Sequence, residues 1–284
     1  ASFPVVANMA EGEDNARETS AEIMTATEDG NTLIYSDSPL GVIGRIDITD
    51  PAAPKPLGNI AMDGEPTTTV VIGNTAFVGV NTSESFTAPS GALRTVDLAS
   101  GTVAESCDLG GQPDSVARNA DGSMLAVAIE NERDEDVNDG DLPQMPAGYV
   151  VLLALSNGLP DCQSLRKVDV TELAEIAPED PEPEFVAFND ANELAVTLQE
   201  NNHIAVVDLA TGSGALALAV AQENPGTRVI GVERYETALA WAERNARRVA
   251  REHGVRIDLR REDARDALPG AEGTVEAIVT NPPY

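Results

Sequence analysis

DLATGSGALALAVA (208–221) is the stretch on which the reading of this chain turns. Its upstream half, within VVDLATG (206–212), repeats TVDLASG at 95–101. Its second half runs from a glycine turn straight into Ala- and Leu-rich sequence that favours helix. The charge breaks at the same place. Residues 1–211 hold 37 Asp+Glu against 8 Lys+Arg, a net of −29, and residues 212–284 hold 11 against 10, every one of those cations Arg. A step of that size indicates two segments of different origin. The acidic part repels phosphate backbones and anionic membranes, so direct nucleic-acid binding is not expected of it.

Upstream of the junction the chain is built of repeated strands. TTVVIGNTAFVGVN (68–81), DSVARNADGSMLAVAI (114–129) and EFVAFNDANELAVTLQ (184–199) each read as strand, polar turn and second strand. Each is followed by a further strand ending in a turn: RTVDLASG, GYVVLLALSNG and IAVVDLATG. NTLIYSDSP (31–39) and GRIDITDPAAP (44–54) form an earlier copy. Units recurring about every 50 residues predict antiparallel blades, about four of them, and a β-propeller is their natural closed form because it leaves few open edges. No apolar run reaches the ~18 residues of a membrane span, so the chain reads as soluble. It has no initiator Met and no signal peptide, which marks it as a processed form or an excised piece.

Within these residues IDITDPAAP (46–54) resembles the repeat phrase of surface-layer-type propellers. AIENERDEDVNDGDLPQMPAG (128–148), PEDPEPEFVAFN (178–189) and LAVTLQENNHIAVVDLATG (194–212) resemble secreted bacterial propellers of the phytase-esterase-like or alkaline-phosphatase-like kind. The resemblance covers roughly residues 20–212 and implies the fold more than a reaction. Inside the acidic loop, Asp134, Asp136, Asn138, Asp139 and Asp141 place hard oxygen ligands at mostly alternate positions, which suits Ca²⁺. The EF-hand spacing fails, with Gly140 one place late and Met145 where Glu belongs, and the simpler reading is a solvated loop. PEDPEPE (178–184) reads as an extended linker between strands. His203 lies in a strand of the repeated type and reads as structural. Cys107 and Cys162, the only cysteines, form one disulfide in an oxidising compartment or two thiols elsewhere; the spacing leaves both open.

After Gly214 the period changes. ALALAVAQE is a short apolar helix and RVIGVE (228–233) a buried-type strand. The next element, YETALAWAERNARRVAREHG, is a long helix with Leu239, Ala242, Ala246 and Val249 on one side and Gly254 at its C-terminal cap. VRIDLR (255–260) and VEAIVTN (275–281) are further strands, and the alternation predicts a parallel, Rossmann-like sheet. The TGSG turn would let a ligand approach a helix N-terminus. Glu233 ends the second strand 19 positions after Gly214, where it would take ribose hydroxyls, and Asp263 follows the third strand, where it would hold an adenine amine.

DLxTGSGALALAVA, VIGVE, ALAWAERNA, the Asp263 region and IVTNPPY together resemble the release-factor glutamine methyltransferases, a branch of the class I S-adenosylmethionine-dependent enzymes. The resemblance implies S-adenosylmethionine as cofactor, a peptide chain release factor as partner, and a cofactor site made by Asp208, Ala210, Thr211, Gly212, Gly214, Glu233, Asp263 and Asn281. It implies that the Asn281 side-chain oxygen and the Pro282 carbonyl accept hydrogen bonds from a substrate amide. Pro283 and Tyr284 would wall the slot. NPPY by itself also reads as a plain turn. Where the family has Gly, this chain has Ala210, whose methyl crowds the approach of the cofactor. The family also continues past NPPY and carries a helical domain ahead of the fold, so an impaired enzyme is expected.

The sequence therefore predicts a mixed fold: a partial β-propeller over 1–209, then the N-terminal half of a methyltransferase core over 210–284. Three functions compete. One is protein-glutamine N-methylation; another is a secreted propeller acting as a binding module or as a calcium-dependent phosphoesterase or esterase; the last is a fusion in which neither part works. Location follows function: cytoplasmic for the first, periplasmic or secreted for the second.

Overall fold

The computed structural model describes residues 1–134, 136–189, 194–207, 215–223, 229–233 and 236–261. Its strands up to Val207 fall into four antiparallel sheets in chain order. The first holds β1 (Ala21–Ala26), β2 (Thr32–Asp37), β3 (Val42–Asp47) and β4 (Lys55–Ala61), and the second β5 (Glu65–Ile72), β6 (Thr75–Asn81), β7 (Gly91–Asp97) and β8 (Thr102–Asp108). The third contains β9 (Pro113–Arg118), β10 (Met124–Ile129), β11 (Tyr149–Ser156), the two-residue β12 (Leu159–Pro160) and β13 (Arg166–Asp169). The fourth has β14 (Pro183–Phe188), β15 (Leu194–Leu198) and β16 (His203–Val207). The expected repeat is visible as one sheet per unit, with the first strands β1, β5, β9 and β14 next to one another in sequence. That is how blades meet around a propeller axis.

The middle strands are apolar on both faces because each sheet is covered from both sides. Ile34, Ile43 and Ile60 of the first sheet pack with Val71, Val78, Val80 and Val96 of the second. Phe77, Leu93 and Cys107 then meet Leu125, Val127, Ile129, Val151 and Leu153 of the third. Ala126, Ala128, Val150 and Leu152, on the other face of that sheet, meet Val186, Val196, Leu198 and Ala205 of the fourth. Residues alternate between the two interfaces at the period of two that a strand imposes. Hydroxyls stitch neighbouring sheets together. Ser38 donates to the Pro66 carbonyl at 2.9 Å, Thr67 to the Pro113 carbonyl at 2.7 Å, and the Val186 N–H donates to Ser115 at 3.3 Å.

A second device closes three of the four sheets, the first, third and fourth, on themselves. A side chain just after or at the end of the second strand accepts the N–H of the residue preceding the first: Ser20 to Asp37, Gln112 to Asn131 and Glu182 to Asn201, each at 3.0 Å. The outer face of the first sheet is covered by the N-terminal 3-10 turn Val5–Asn8, where the Asn8 amide donates to the Tyr35 hydroxyl at 3.0 Å. Gly44 faces Tyr35 across the β2–β3 ladder, and any Cβ there would collide with the phenol ring. Cys107 and Cys162 form a disulfide with Cα atoms 5.2 Å apart, which settles the alternative the sequence left open.

Beyond the fourth sheet come α1 (Ala215–Glu223), β17 (Val229–Val232), α2 (Glu236–His253) and β18 (Ile257–Arg260). β17 and β18 pair in parallel, Val229 with Ile257 through Val232 with Arg260, with α2 as the crossover between them. On α2, Ala242 and Val249 are buried two turns apart. Arg251 and His253 occupy its last turn, where the helix dipole favours cations. Gly254 ends it at φ +75°, with its N–H on the Ala250 carbonyl at 3.1 Å. This left-handed cap is the one the sequence placed there. Among the described residues no helix is long and apolar enough to cross a membrane.

Candidate functional site

Two places bring chemistry-bearing residues together. The first is the carboxyl end of the parallel pair. Glu233 follows β17 directly, its N–H donates to the Arg260 carbonyl at 3.0 Å, and the residue is 3% exposed. A carboxylate held at the end of a parallel strand stands where open α/β sheets bind their ligands. It is also the chemistry that recognises a pair of ribose hydroxyls. Asp208, Ala210, Thr211, Gly212, Gly214, Asp263, Asn281, Pro282, Pro283 and Tyr284 lie outside the described residues, as does the strand expected over 275–281. Around Glu233 the structure differs from the expected crevice in one respect. The strand ahead of TGSG in the sequence, β16, pairs antiparallel with β15 from Leu194↔Val207 to Leu198↔His203, and among the described residues no ladder joins it to β17. The reason is burial: Ala205 belongs to the core shared with the third sheet, so the antiparallel register holds the strand.

The second place is an acidic cavity of 410 Å³ whose walls include Glu130, Glu132, Arg133, Glu182, Glu184 and Glu200. The last residue of β10 is Ile129, so Glu130 leaves the sheet toward this space, and Glu184 enters it from β14. Burial pushes the Glu130 carboxyl up to about 9, with Asp114, Glu184, Glu132 and Glu182 adding repulsion. Burial likewise raises Asp114 to about 7, reinforced by Glu184, Glu132 and Glu22. Glu182 also rises to about 7, because burial outweighs the attraction of the Arg133 guanidinium. At neutral pH the Glu130 carboxyl therefore keeps its proton.

Arg133 ties the cavity wall together. Its Nε donates to Asp180 at 3.0 Å, one terminal nitrogen meets Glu182 at 2.9 Å and the other donates to the Asp180 carbonyl. The Glu182 carboxylate also accepts the Arg133 N–H at 2.9 Å, and Asp180 accepts the Gln144 N–H at 2.8 Å. Asp180 and Glu182 are buried at 1% and 3% exposure, so PEDPEPE is an anchored segment and not the extended linker its prolines imply. Pro183 is admitted as the first residue of β14, where a strand tolerates a missing N–H. Sequence reading missed this anchor. The signal for it was the single Arg inside ENERDEDVNDGD, which needs buried acids elsewhere to justify its position.

The loop proposed for calcium is a surface loop. Val137–Gly140 forms a 3-10 turn, Asp134 accepts the Asp136 N–H at 2.9 Å, and Asp136, Asp139 and Asp141 are exposed. Among the described residues no group of three or more His, Cys, Asp or Glu is arranged to hold a metal ion. The carboxylate of Asp134 is instead used locally, to close its own turn.

Comparison with known proteins finds two family models whose matches overlap over residues 189–218. A methyltransferase small domain model matches residues 189–284. The release factor glutamine methyltransferase of Streptomyces coelicolor is 52% identical over 79 residues, 28% of this chain and 26% of that protein. A 4-amino-L-phenylalanine/4-methylamino-L-phenylalanine methyltransferase of Streptomyces pristinaespiralis is 48% identical over 79 residues, 28% of this chain and 25% of that one. The chain thus spans about a quarter of the length of the curated relatives it matches. Among solved structures, Kuenenia stuttgartiensis hydrazine synthase superposes with a TM-score of 0.50 at 17% identity, covering 68% of this chain and 53% of its own. That likeness concerns fold alone. The choice-of-anchor I domain model matches residues 22–218, the stretch that holds the four antiparallel sheets, and the chain belongs to the choice-of-anchor I domain family.

Proposed function

We propose that the segment from residue 210 onward is a methyltransferase unit of the release-factor glutamine type, following a β-propeller unit over 1–209. In this reading the chain is an S-adenosylmethionine-dependent N-methyltransferase whose substrate is a glutamine side chain of a peptide chain release factor. The observation that carries the reading is Glu233, buried at the end of β17 in a parallel β-α-β unit. Its carboxylate fits the cofactor's ribose. Asp208, Ala210, Thr211, Gly212 and Gly214 would form the turn beneath the cofactor, and Asp263 would take the adenine amine. The cofactor supplies an activated methyl group. The chain's own part is positioning: Asn281 and the Pro282 carbonyl accept the amide N–H groups, and Pro283 and Tyr284 confine the amide plane. Proline has no competing N–H, so its carbonyl is presented to the substrate alone. Fixing the amide in line with the methyl group is an entropic contribution to rate.

Two features weaken the site. Ala210 puts a methyl where the cofactor approaches, and β16 is engaged in the antiparallel sheet. Calorimetric titration of the full chain with S-adenosylmethionine tests the reading. Weak binding is expected, abolished by Glu233→Ala and tightened by Ala210→Gly. If neither the parent chain nor the glycine variant binds, the methyltransferase reading fails.

A second reading has its own observation. The Cys107–Cys162 disulfide and the acidic cavity suit a choice-of-anchor I unit acting outside the cytoplasm as a binding module for a cationic or hydroxyl-rich guest.

A further inference from the structure

We propose that the Cys107–Cys162 disulfide is a lock set once, during folding in an oxidising compartment, and then sealed by the closing of the second sheet onto the third. The two sulfurs have unlike surroundings. Cys107 lies on β8, is 1% exposed and sits in the core with Phe77, Leu93, Leu125 and Val151. Cys162 opens the exposed 3-10 turn Cys162–Ser164 at the rim of the third sheet. That turn belongs to an excursion over 157–165. The excursion is fixed to the sheet by the two pairs of β12 with β11, by the Asp161 N–H on the Ala154 carbonyl at 2.9 Å and by the Ala154 N–H on Ser164 Oγ at 2.8 Å. The disulfide is the covalent tie between this rim and the outermost strand of the neighbouring sheet.

The asymmetry decides the chemistry. Reduction requires a thiolate to attack one sulfur and expel the other as thiolate. The accessible sulfur is that of Cys162, so the leaving group is Cys107. Its negative charge would appear in an apolar core, where desolvation opposes it. Attack on Cys107, which would expel the better-solvated Cys162, is blocked by burial. Each route needs the interface between the second and third sheets to open first. Formation has no such obstacle, because the unfolded chain exposes both thiols. A disulfide-bearing oxidant takes two electrons and two protons from them, forms the Cys107–Cys162 bond and leaves as its own dithiol. The direction of assembly is therefore oxidation, then closure.

The test is the rate at which dithiothreitol reduces the native full chain, followed by trapping the released thiols with a maleimide. Reduction consumes one dithiol and yields two protein thiols and a cyclic disulfide. The rate is expected to level off with reductant concentration, at the rate of opening, and to climb at least tenfold in moderate urea. A rate that stays proportional to reductant and unchanged by urea would overturn the lock. A companion measurement does not depend on any variant folding: the parent chain is produced with and without export to an oxidising compartment. The exported form is expected to resist protease to a higher urea concentration than the form made in a reducing cytosol. An equally resistant dithiol form from a reducing cytosol would overturn the proposal as decisively. Neither outcome bears on S-adenosylmethionine binding, so the lock and the methyltransferase reading fail separately.

Discussion

The four antiparallel sheets and the α/β segment beyond them solve burial in opposite ways. In the first region a middle strand such as β10 is dry on both faces, with Leu125, Val127 and Ile129 facing one neighbour and Ala126 and Ala128 facing the other. In the second, β18 is only half-buried along its whole length, although parallel strands are normally covered on both sides. The first region also carries the acid excess, −29 against −1, and keeps much of it on turns that use Asp as a local hydrogen-bond acceptor. The repeated sheets are thus stabilised by stacking, each one a surface for the next, whereas β18 is covered only in part.

The largest way to strain that contrast is to cut the covalent tie. Closing a loop of 55 residues restricts the unfolded chain by about 4 kcal/mol in the loop-entropy model. Cys162→Ser should lower the urea midpoint of the β transition accordingly and leave the helical signal of α1 and α2 unmoved. A common shift of both signals would show one cooperative unit instead of two. Next in size is the stacking itself. Leu125 is fully buried between the second and third sheets, and Leu125→Ala should cost about 3 kcal/mol, read as a lower midpoint in denaturant. Val249→Ala on α2 should cost less than half as much.

A smaller effect is expected from pH. The carboxyls of Asp114, Glu130 and Glu182 have folded pKa values raised above their ordinary range, so the folded state holds protons that the unfolded chain releases. Their contribution is fully present below about pH 4, and it is lost as pH rises through about 7 for Asp114 and Glu182 and about 9 for Glu130. The β region should therefore melt lower at pH 8 than at pH 5. Asp114→Asn should flatten that dependence by about 1–2 kcal/mol after solvent screening is allowed for. A profile with its maximum at pH 8 would contradict the burial of these groups. The smallest change is expected at the exposed Arg247–Glu243 pair on α2, 3.4 Å apart, where Arg247→Ala should alter stability by less than about 0.5 kcal/mol.

The repeats were legible because strand periodicity and Asn, Asp and Gly turns are local signals. GRIDITD, RTVDLASG and GYVVLLAL each sit where a third strand of a sheet was expected. The helix Glu236–His253 and its Gly254 cap were legible for the same reason. What the sequence hid is non-local. Cys107 and Cys162 lie in different sheets, and only the packing of one on the other makes them partners. Asp180 and Glu182 looked like solvated acids because their counter-ion, Arg133, is 47 and 49 residues away. β16 satisfies the letters of two architectures, and what decides between them is the core that Ala205 enters, a quantity no single strand carries. At the candidate methyltransferase site the identity and position of Glu233 were readable, and the antiparallel pairing of β16 is the one its place in the fourth repeat predicts.

The side-chain clamps that close the first, third and fourth sheets have a consequence for how the chain comes off the ribosome. Asp37, Asn131 and Asn201 reach back only 17, 19 and 19 residues to the N–H groups they accept. A sheet can therefore latch its first strand to its second before its third strand has been synthesised, at the loop-closure cost of a short hairpin. Each latched pair then offers an apolar face to the unit that follows. Folding from the N-terminus becomes a sequence of docking steps onto a surface already formed, and the emerging chain exposes one unfinished sheet at a time instead of four.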